Sequence, residues 1–207
     1  GLSFYVWNEN LNNKVFQISK NTNKAILTVG GGPHFTNHNA NQLGARKFFT
    51  EQPYCDSFVV NQGEKGFLEL IKNYISSDKN LKIFQKSTIK GVMTKKPKSN
   101  YGFEINIGED IGTLDDLNDI PSPYLDGTLD EFFDGPFLPI LETNRSCPYR
   151  CTFCAWGIGT QKLKKFDEKR VLNEIQYIYE RCDKASTLFI ADANFGILER
   201  DATFAAK

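Results

Sequence analysis

The sequence predicts an α/β chain: a parallel sheet with right-handed crossovers, followed by the opening strands of a β/α barrel-type unit. Three observations carry this. Short apolar runs at Gly1–Trp7, Ala25–Val29 and Ser57–Val60 show little alternation, as expected of strands covered on both faces. Apolar residues recur at helical spacing between and after them, most clearly at Phe67, Leu70, Ile71, Tyr74 and Ile75. The run Phe137–Glu142 then starts a second series, with a helix and another strand, Leu188–Ala191, behind it.

The totals set limits. A chain of 207 residues exceeds the roughly 100–200 expected of one domain. Hydrophobic residues at 40% and aromatics at 13% suffice for packed cores. A formal net charge of zero argues against a dominant nucleic-acid or anionic-membrane surface. No apolar run approaches the roughly 20 residues that span a bilayer, and no secretory leader is visible. Five cysteines, three of them packed together, suit a reducing compartment better than a disulfide framework, so the cytoplasm is expected. The chain starts at Gly1 in what reads as a buried strand, which predicts a fragment open at both ends.

In order, Leu11, Val15, Phe16 and Ile18 mark a first helix, and Ala25–Val29 runs straight into Gly30-Gly31-Gly32-Pro33. A weaker helix covers Asn39–Phe49, and the strand Ser57–Val60 leads through Gln62 to Gly63-Glu64. Ligands of open α/β sheets bind beyond the carboxyl ends of the strands, where Trp7-Asn8, the glycine run and Gly63-Glu64 lie. Glycines there admit a ligand close to the backbone, or simply make a tight β–α turn; both readings stand. No G-x-G-x-x-G opens a helix, so a nicotinamide or flavin site is not supported. His34 and His38 read as loop or surface residues, and the isolated Cys55 as a packed thiol.

Ile89–Lys95 and Tyr101–Ile107 form a hairpin signal, and the acidic, proline-punctuated Gly108–Gly135 reads as a linker. Asp167 is placed to cap the next helix, whose apolar face runs through Val171, Ile175, Ile178 and Cys182. Cys182 therefore reads as another packed thiol. The strand Leu188–Ala191 ends in Asp192-Ala193-Asn194-Phe195-Gly196, polar residues where a β/α barrel presents its site, or else an ordinary turn.

The most informative stretch is Cys147-Pro148-Tyr149-Arg150-Cys151-Thr152-Phe153-Cys154. Three thiols at C-x3-C-x2-C spacing can converge on zinc or an iron–sulfur cluster. Three protein ligands leave one metal position open, the mark of a catalytic rather than a structural site. A non-enzymatic zinc module is the alternative, but both histidines lie far upstream and no fourth ligand sits at finger spacing.

From Glu142 to Cys154, E-T-N-R-S-C-P-Y-R-C-T-F-C resembles the cluster loop of radical S-adenosylmethionine (SAM) enzymes. The resemblance implies a [4Fe–4S] cluster on Cys147, Cys151 and Cys154, SAM chelated on the open iron, and Phe153 beside the adenine. It also implies that Asp192 and Asn194, in D-A-N-F-G, sit where the SAM amino group binds. The N-terminal half resembles the cobalamin-binding domain that precedes many radical SAM barrels, a Rossmann-like sheet. Ser3-Phe4-Tyr5, Gly30-Gly31-Gly32 and the Val59–Glu64 stretch ending in Gly63-Glu64 match its three strand ends, and Ile120-Pro121-Ser122-Pro123 is similar to the interdomain connector. The aspartate–histidine motif that supplies a lower cobalt ligand elsewhere belongs to a strand that would precede Gly1, and the radical SAM branch commonly lacks it.

Together these imply a cobalamin-binding-like domain over 1–88, a hairpin and linker over 89–135, and the start of a radical SAM partial barrel over 136–207. They imply reductive cleavage of SAM, cobalamin held between the domains, and methyl transfer to an unactivated centre of a small molecule or peptide. An electron donor such as flavodoxin or ferredoxin is the implied partner. A radical SAM enzyme whose N-terminal domain serves docking or substrate binding without cobalamin is the second alternative.

Overall fold

The computed structural model describes residues 1–35, 40–98, 102–149, 151–154, 162–182 and 187–206. His38, the first residue of the expected 39–49 helix, the turn of the hairpin and Arg150 lie outside them. The chain divides into two compact units, Gly1–Thr113 and Leu114–Lys207.

In the first unit β1 (Leu2–Ser3) leads to α1 (Glu9–Thr22), β2 (Val29–Gly31), α2 (Gln42–Glu51), β3 (Ser57–Val59), α3 (Gly63–Ser76) and α4 (Leu81–Phe84). The hairpin β4 (Val92–Pro97) and β5 (Phe103–Ile107) follows. The strands form one sheet in the order β1-β2-β3-β4-β5. β1, β2 and β3 run parallel, as expected, but β4 pairs antiparallel with β3 and with β5. The sheet is therefore mixed rather than wholly parallel: the hairpin pairs along β3 instead of standing apart.

Alternation along the strands divides two cores. Phe58 and Val60 face a cluster with Phe4, Phe16, Phe35 and Phe48, whereas Val59 faces Val29, Leu70, Phe84 and Val92. Helices α1 and α2 thus cover one face and α3 and α4 the other. In the first cluster the ring centroids of Phe35 and Phe48 lie 5.0 and 5.1 Å from Phe58, both edge-on. Each such pair adds about 0.5–1.5 kcal/mol beyond area burial. At the amino ends of the strands, Asp56 accepts from Lys20 Nζ at 2.5 Å and from Thr28 N at 2.9 Å.

Two expectations need correction here. The first strand is short: Val6 and Trp7 are exposed, because the chain turns after Phe4 and Asn8 Oδ1 accepts from Tyr5 N at 2.9 Å. Along α1, Phe16 is buried, but Leu11, Val15 and Ile18 are exposed. His34 lies in a turn, as the loop reading expects, and is half-buried. It sits 2.9 Å from Glu9 Oε1 and packs against the rings of Phe4, Phe35, Phe48 and Phe58.

The second unit contains β6 (Ile140–Leu141), β7 (Asn144–Arg145), β8 (Lys164–Lys165), α5 (Glu168–Arg181), β9 (Phe189–Ile190) and α6 (Glu199–Ala205). β6 pairs parallel with β9, and β7 pairs antiparallel with β8. Residues 114–135 belong to this unit's core, where Leu117, Tyr124 and Phe133 pack with Phe166, Val171 and Ile178. Arg170 Nη1 donates to Ile120 O at 2.5 Å, and Tyr177 Oη to Asp130 Oδ1 at 2.9 Å. The Tyr124 hydroxyl donates to Ile140 O at 2.6 Å and accepts from Ile140 N at 3.1 Å. Asp167 occupies the N-cap position of α5, but its side chain makes no capping hydrogen bond.

Candidate functional sites

The carboxyl ends of β1, β2 and β3 and the start of α3 enclose a cleft of about 420 Å3. Ser3, Gly30, Gly31, Gly32, Gly63 and Glu64 all line it. The glycines differ in what they do. A Cβ on Gly30 would meet Phe58 Cδ2 at 2.7 Å and Phe4 at 3.1 Å, so this glycine exists to let two core rings close over the strand. Gly32 has φ +91°, and a Cβ there would meet Phe4 N at 3.1 Å. Gly31 is different: its nearest neighbour would be Val59 O at 3.9 Å, an ordinary contact. Gly63, with nothing within 4 Å of its virtual Cβ, opens α3 together with Glu64. Bare backbone at Gly31 and Gly63 is thus not required by packing. Contrary to the expected boundary, Gly30 and Gly31 lie inside β2 rather than beyond it.

Ser3 is exposed, and its carbonyl accepts from Asn8 Nδ2 at 3.0 Å and Asn12 Nδ2 at 2.8 Å. These bonds tie the end of β1 to the first turn of α1.

In the second unit β6 leads through Glu142-Thr143 and β7 into the cysteine loop. Asp192, two residues past β9, reaches back to this strand end. One of its oxygens accepts from Thr143 N at 2.7 Å and Asn144 N at 3.2 Å. The other accepts from the Thr143 hydroxyl and from Asn144 Nδ2, the latter at 2.7 Å. The Thr143 carbonyl accepts in turn from Phe166 N at 3.0 Å and Arg200 Nη2 at 2.8 Å. Every polar group of Thr143 is used, and the residue is fully buried. The root of the loop is therefore fixed from β9, β8 and α6 together.

Beyond that root, Ser146 takes φ +73° and turns the chain outward. Cys147 and Cys154 are half-buried and Cys151 is exposed; none is in a disulfide. The Asn194 side-chain amide lies against Cys147 Sγ, with Nδ2 placed to donate to it. Phe153, expected beside an adenine, is 91% exposed. Among the described residues no three His, Cys, Asp or Glu side chains are gathered into a metal-binding group. The loop carries three thiols on a short segment without converging them.

Cys182 is buried in the second core, as its place on the helical stripe implied. Cys55 is fully buried in the first, where its thiol donates to Ser57 O and burial pushes its pKa up to about 12. Thr143, Asn144 and Arg200 were not picked out by sequence. The signal for the first two lay in their position at the end of an apolar strand; Arg200 carries none.

No protein-family model matches the chain. It is 36% identical over 99% of its length to a cobalamin-dependent radical SAM methyltransferase, TokK, of Streptomyces tokunonensis. It is 35% identical, again over 99%, to a 2-(S-pantetheinyl)-carbapenam-3-carboxylate methyltransferase of Streptantibioticus cattleyicolor. A third relative, an uncharacterized methyltransferase of Pyrococcus horikoshii, is 27% identical over 80% of the chain. The chain spans 28% of the length of each of the first two.

Proposed function

The chain is homologous along its length to enzymes of the cobalamin-dependent radical SAM methyltransferase kind, and on that footing we propose that it serves the same chemistry. In this reading Cys147, Cys151 and Cys154 hold a [4Fe–4S] cluster in the opening part of a radical SAM barrel, and the glycine cleft holds part of a cobalamin. When bound, the cluster supplies the reductive cleavage of SAM and the corrin supplies methyl-group chemistry. The transfer is to an unactivated centre of a small molecule or peptide, with electrons from a flavodoxin- or ferredoxin-like donor and the cytoplasm as the setting.

The observation that carries the reading is the cysteine loop itself, three thiols leaving a strand end clamped by Asp192. The donor set fits a cluster: soft ligands, three in number, on one short segment. Asn144 adds a second point of fit. Its Oδ1 is buried without a hydrogen-bond partner, an acceptor that the ammonium group of SAM would satisfy. With its carboxylate engaged four times over, Asp192 acts by holding Asn144 and Thr143 in place. For cobalamin the fit rests on Gly31 and Gly63, whose bare backbone leaves room that packing does not claim. A cleft of about 420 Å3 is in the range of ligand sites and grips one part of a corrinoid rather than the whole.

The test is anaerobic reconstitution with iron and sulfide, then with hydroxocobalamin, followed by desalting. Dithionite-bleachable absorbance with about four irons per chain is expected, together with retained corrin. A colourless, zinc-loaded protein would overturn the reading. A full cluster with no retained corrin would leave a radical SAM protein and remove cobalamin from it.

A further inference from the structure

We propose that Asn194 raises the reduction potential of the cluster by donating a hydrogen bond to the Cys147 ligand. The inference rests on the cluster reading above. Its observation is that the Asn194 side-chain amide lies directly against Cys147 Sγ, Nδ2 toward the sulfur, in a part-buried setting. The two residues are 47 positions apart, so tertiary structure and not a local turn brings them together. Two anchors fix the geometry. On one side Asp192 fastens the β9 end to Thr143 and Asn144, four and three residues before Cys147. On the other, Asp201 Oδ2 accepts from Gly196 N at 2.8 Å and Leu198 N at 3.0 Å, closing the chain just after Asn194. Among the described residues, Cys147 alone of the three thiols receives a side-chain hydrogen bond.

The physical consequence follows from charge. A thiolate bound to iron carries negative charge, and one-electron reduction of the cluster adds more. An N–H donor aimed at that sulfur stabilises the reduced state more than the oxidised one, so the potential rises. Partial burial keeps water from substituting for the amide. Asn194 is in this sense a tuning residue: it eases electron entry without being a ligand.

Asn194→Leu removes the donor at similar volume, and Asn194→Asp replaces it with an acceptor. Both variants are reconstituted alongside the unaltered protein, assayed for iron, and titrated against potential with the electron paramagnetic resonance signal of the reduced cluster as readout. The Leu variant should keep its iron, yet its reduced-to-oxidised ratio at fixed solution potential should fall about tenfold, equivalent to about 59 mV for one electron. The Asp variant should fall further. An unchanged midpoint in a fully loaded Leu variant overturns the inference, as does loss of iron in both variants, which would make Asn194 a structural support of the loop. Absence of iron from the unaltered protein is a separate result and defeats the cluster reading itself.

Discussion

The glycine cleft is made of backbone inside a five-stranded sheet, whereas the cysteine loop is three side chains on a segment fastened at its root. In the cleft, fold and site are the same atoms: Gly30 packs a core on one side of β2 while Gly31 opens toward the cleft. In the loop they are separable, because the Asp192–Thr143–Asn144 clamp stands complete whatever the thiols hold. One site is preformed by folding. The other has its thiols ungathered among the described residues, so a metal held there would have to draw Cys151 and Cys154 in toward Cys147.

That contrast can be broken most sharply at the thiols. Cys147→Ala, Cys151→Ala and Cys154→Ala should each abolish cluster formation by iron and sulfide analysis, while corrin retention and urea unfolding of the first unit stay as they were. Cys55→Ala and Cys182→Ala should leave iron content unchanged, since both thiols are buried in cores.

Next in size is a pair within β2. Gly31→Val should cut corrin retention at least tenfold at unchanged iron and nearly unchanged stability. Gly30→Ala should do the reverse in kind, losing about 1–3 kcal/mol in denaturant unfolding through overpacking against Phe58 and Phe4. If Gly31→Val destabilised as much as Gly30→Ala, the distinction between a site glycine and a packing glycine would fail.

A third prediction concerns the clamp. Asp192→Ala leaves the Thr143 and Asn144 donors buried without their acceptor, a loss of about 1–3 kcal/mol for each buried group stranded. The second unit should open in hydrogen exchange, with protection of the first unit unaltered.

The smallest effect is on pH dependence. The Cys55 thiol is held protonated chiefly by burial, with Asp56 adding to the effect, at about 12 against an ordinary 9.0. The native state therefore keeps a proton that the unfolded chain releases, and stability present below about pH 9 should fall as pH rises from there toward 12. Lys95 beside it is shifted down by burial and contributes the opposite slope. The measurement is thus the difference in slope between the unaltered protein and Cys55→Ala, by unfolding midpoints across the alkaline range.

Legibility in the sequence followed the same division. Cysteine spacing is local, so Cys147, Cys151 and Cys154 could be named directly, and the helical stripe placed Cys182 in a core. The strand ends that meet at the cleft were legible because glycines and short apolar runs mark them. Apolar pattern alone, however, does not say what covers a residue, and Val6, Trp7, Leu11 and Ile18 are exposed. A hairpin signal likewise carries no information about which strand it will pair with, so the antiparallel continuation through β4 was not foreseen. Thr143, Asn144 and Arg200 are ordinary polar residues until the pairing of Leu141 with Ile190 brings β9 alongside β6.

The Tyr124 hydroxyl has a consequence for how the second unit's sheet can be extended. Phe189 N reaches Pro139 O at 3.0 Å and Ala191 N reaches Leu141 O at 2.8 Å, so the residues flanking Ile140 turn their carbonyls toward β9. Strand alternation then points the Ile140 N–H and carbonyl the other way, and one phenol hydroxyl satisfies both. A single side chain stands where a neighbouring strand would otherwise dock, blunting an edge that could recruit a stray one. The sheet is polarised by this: β6 is sealed as a border at Ile140, and further growth is left to the β9 side.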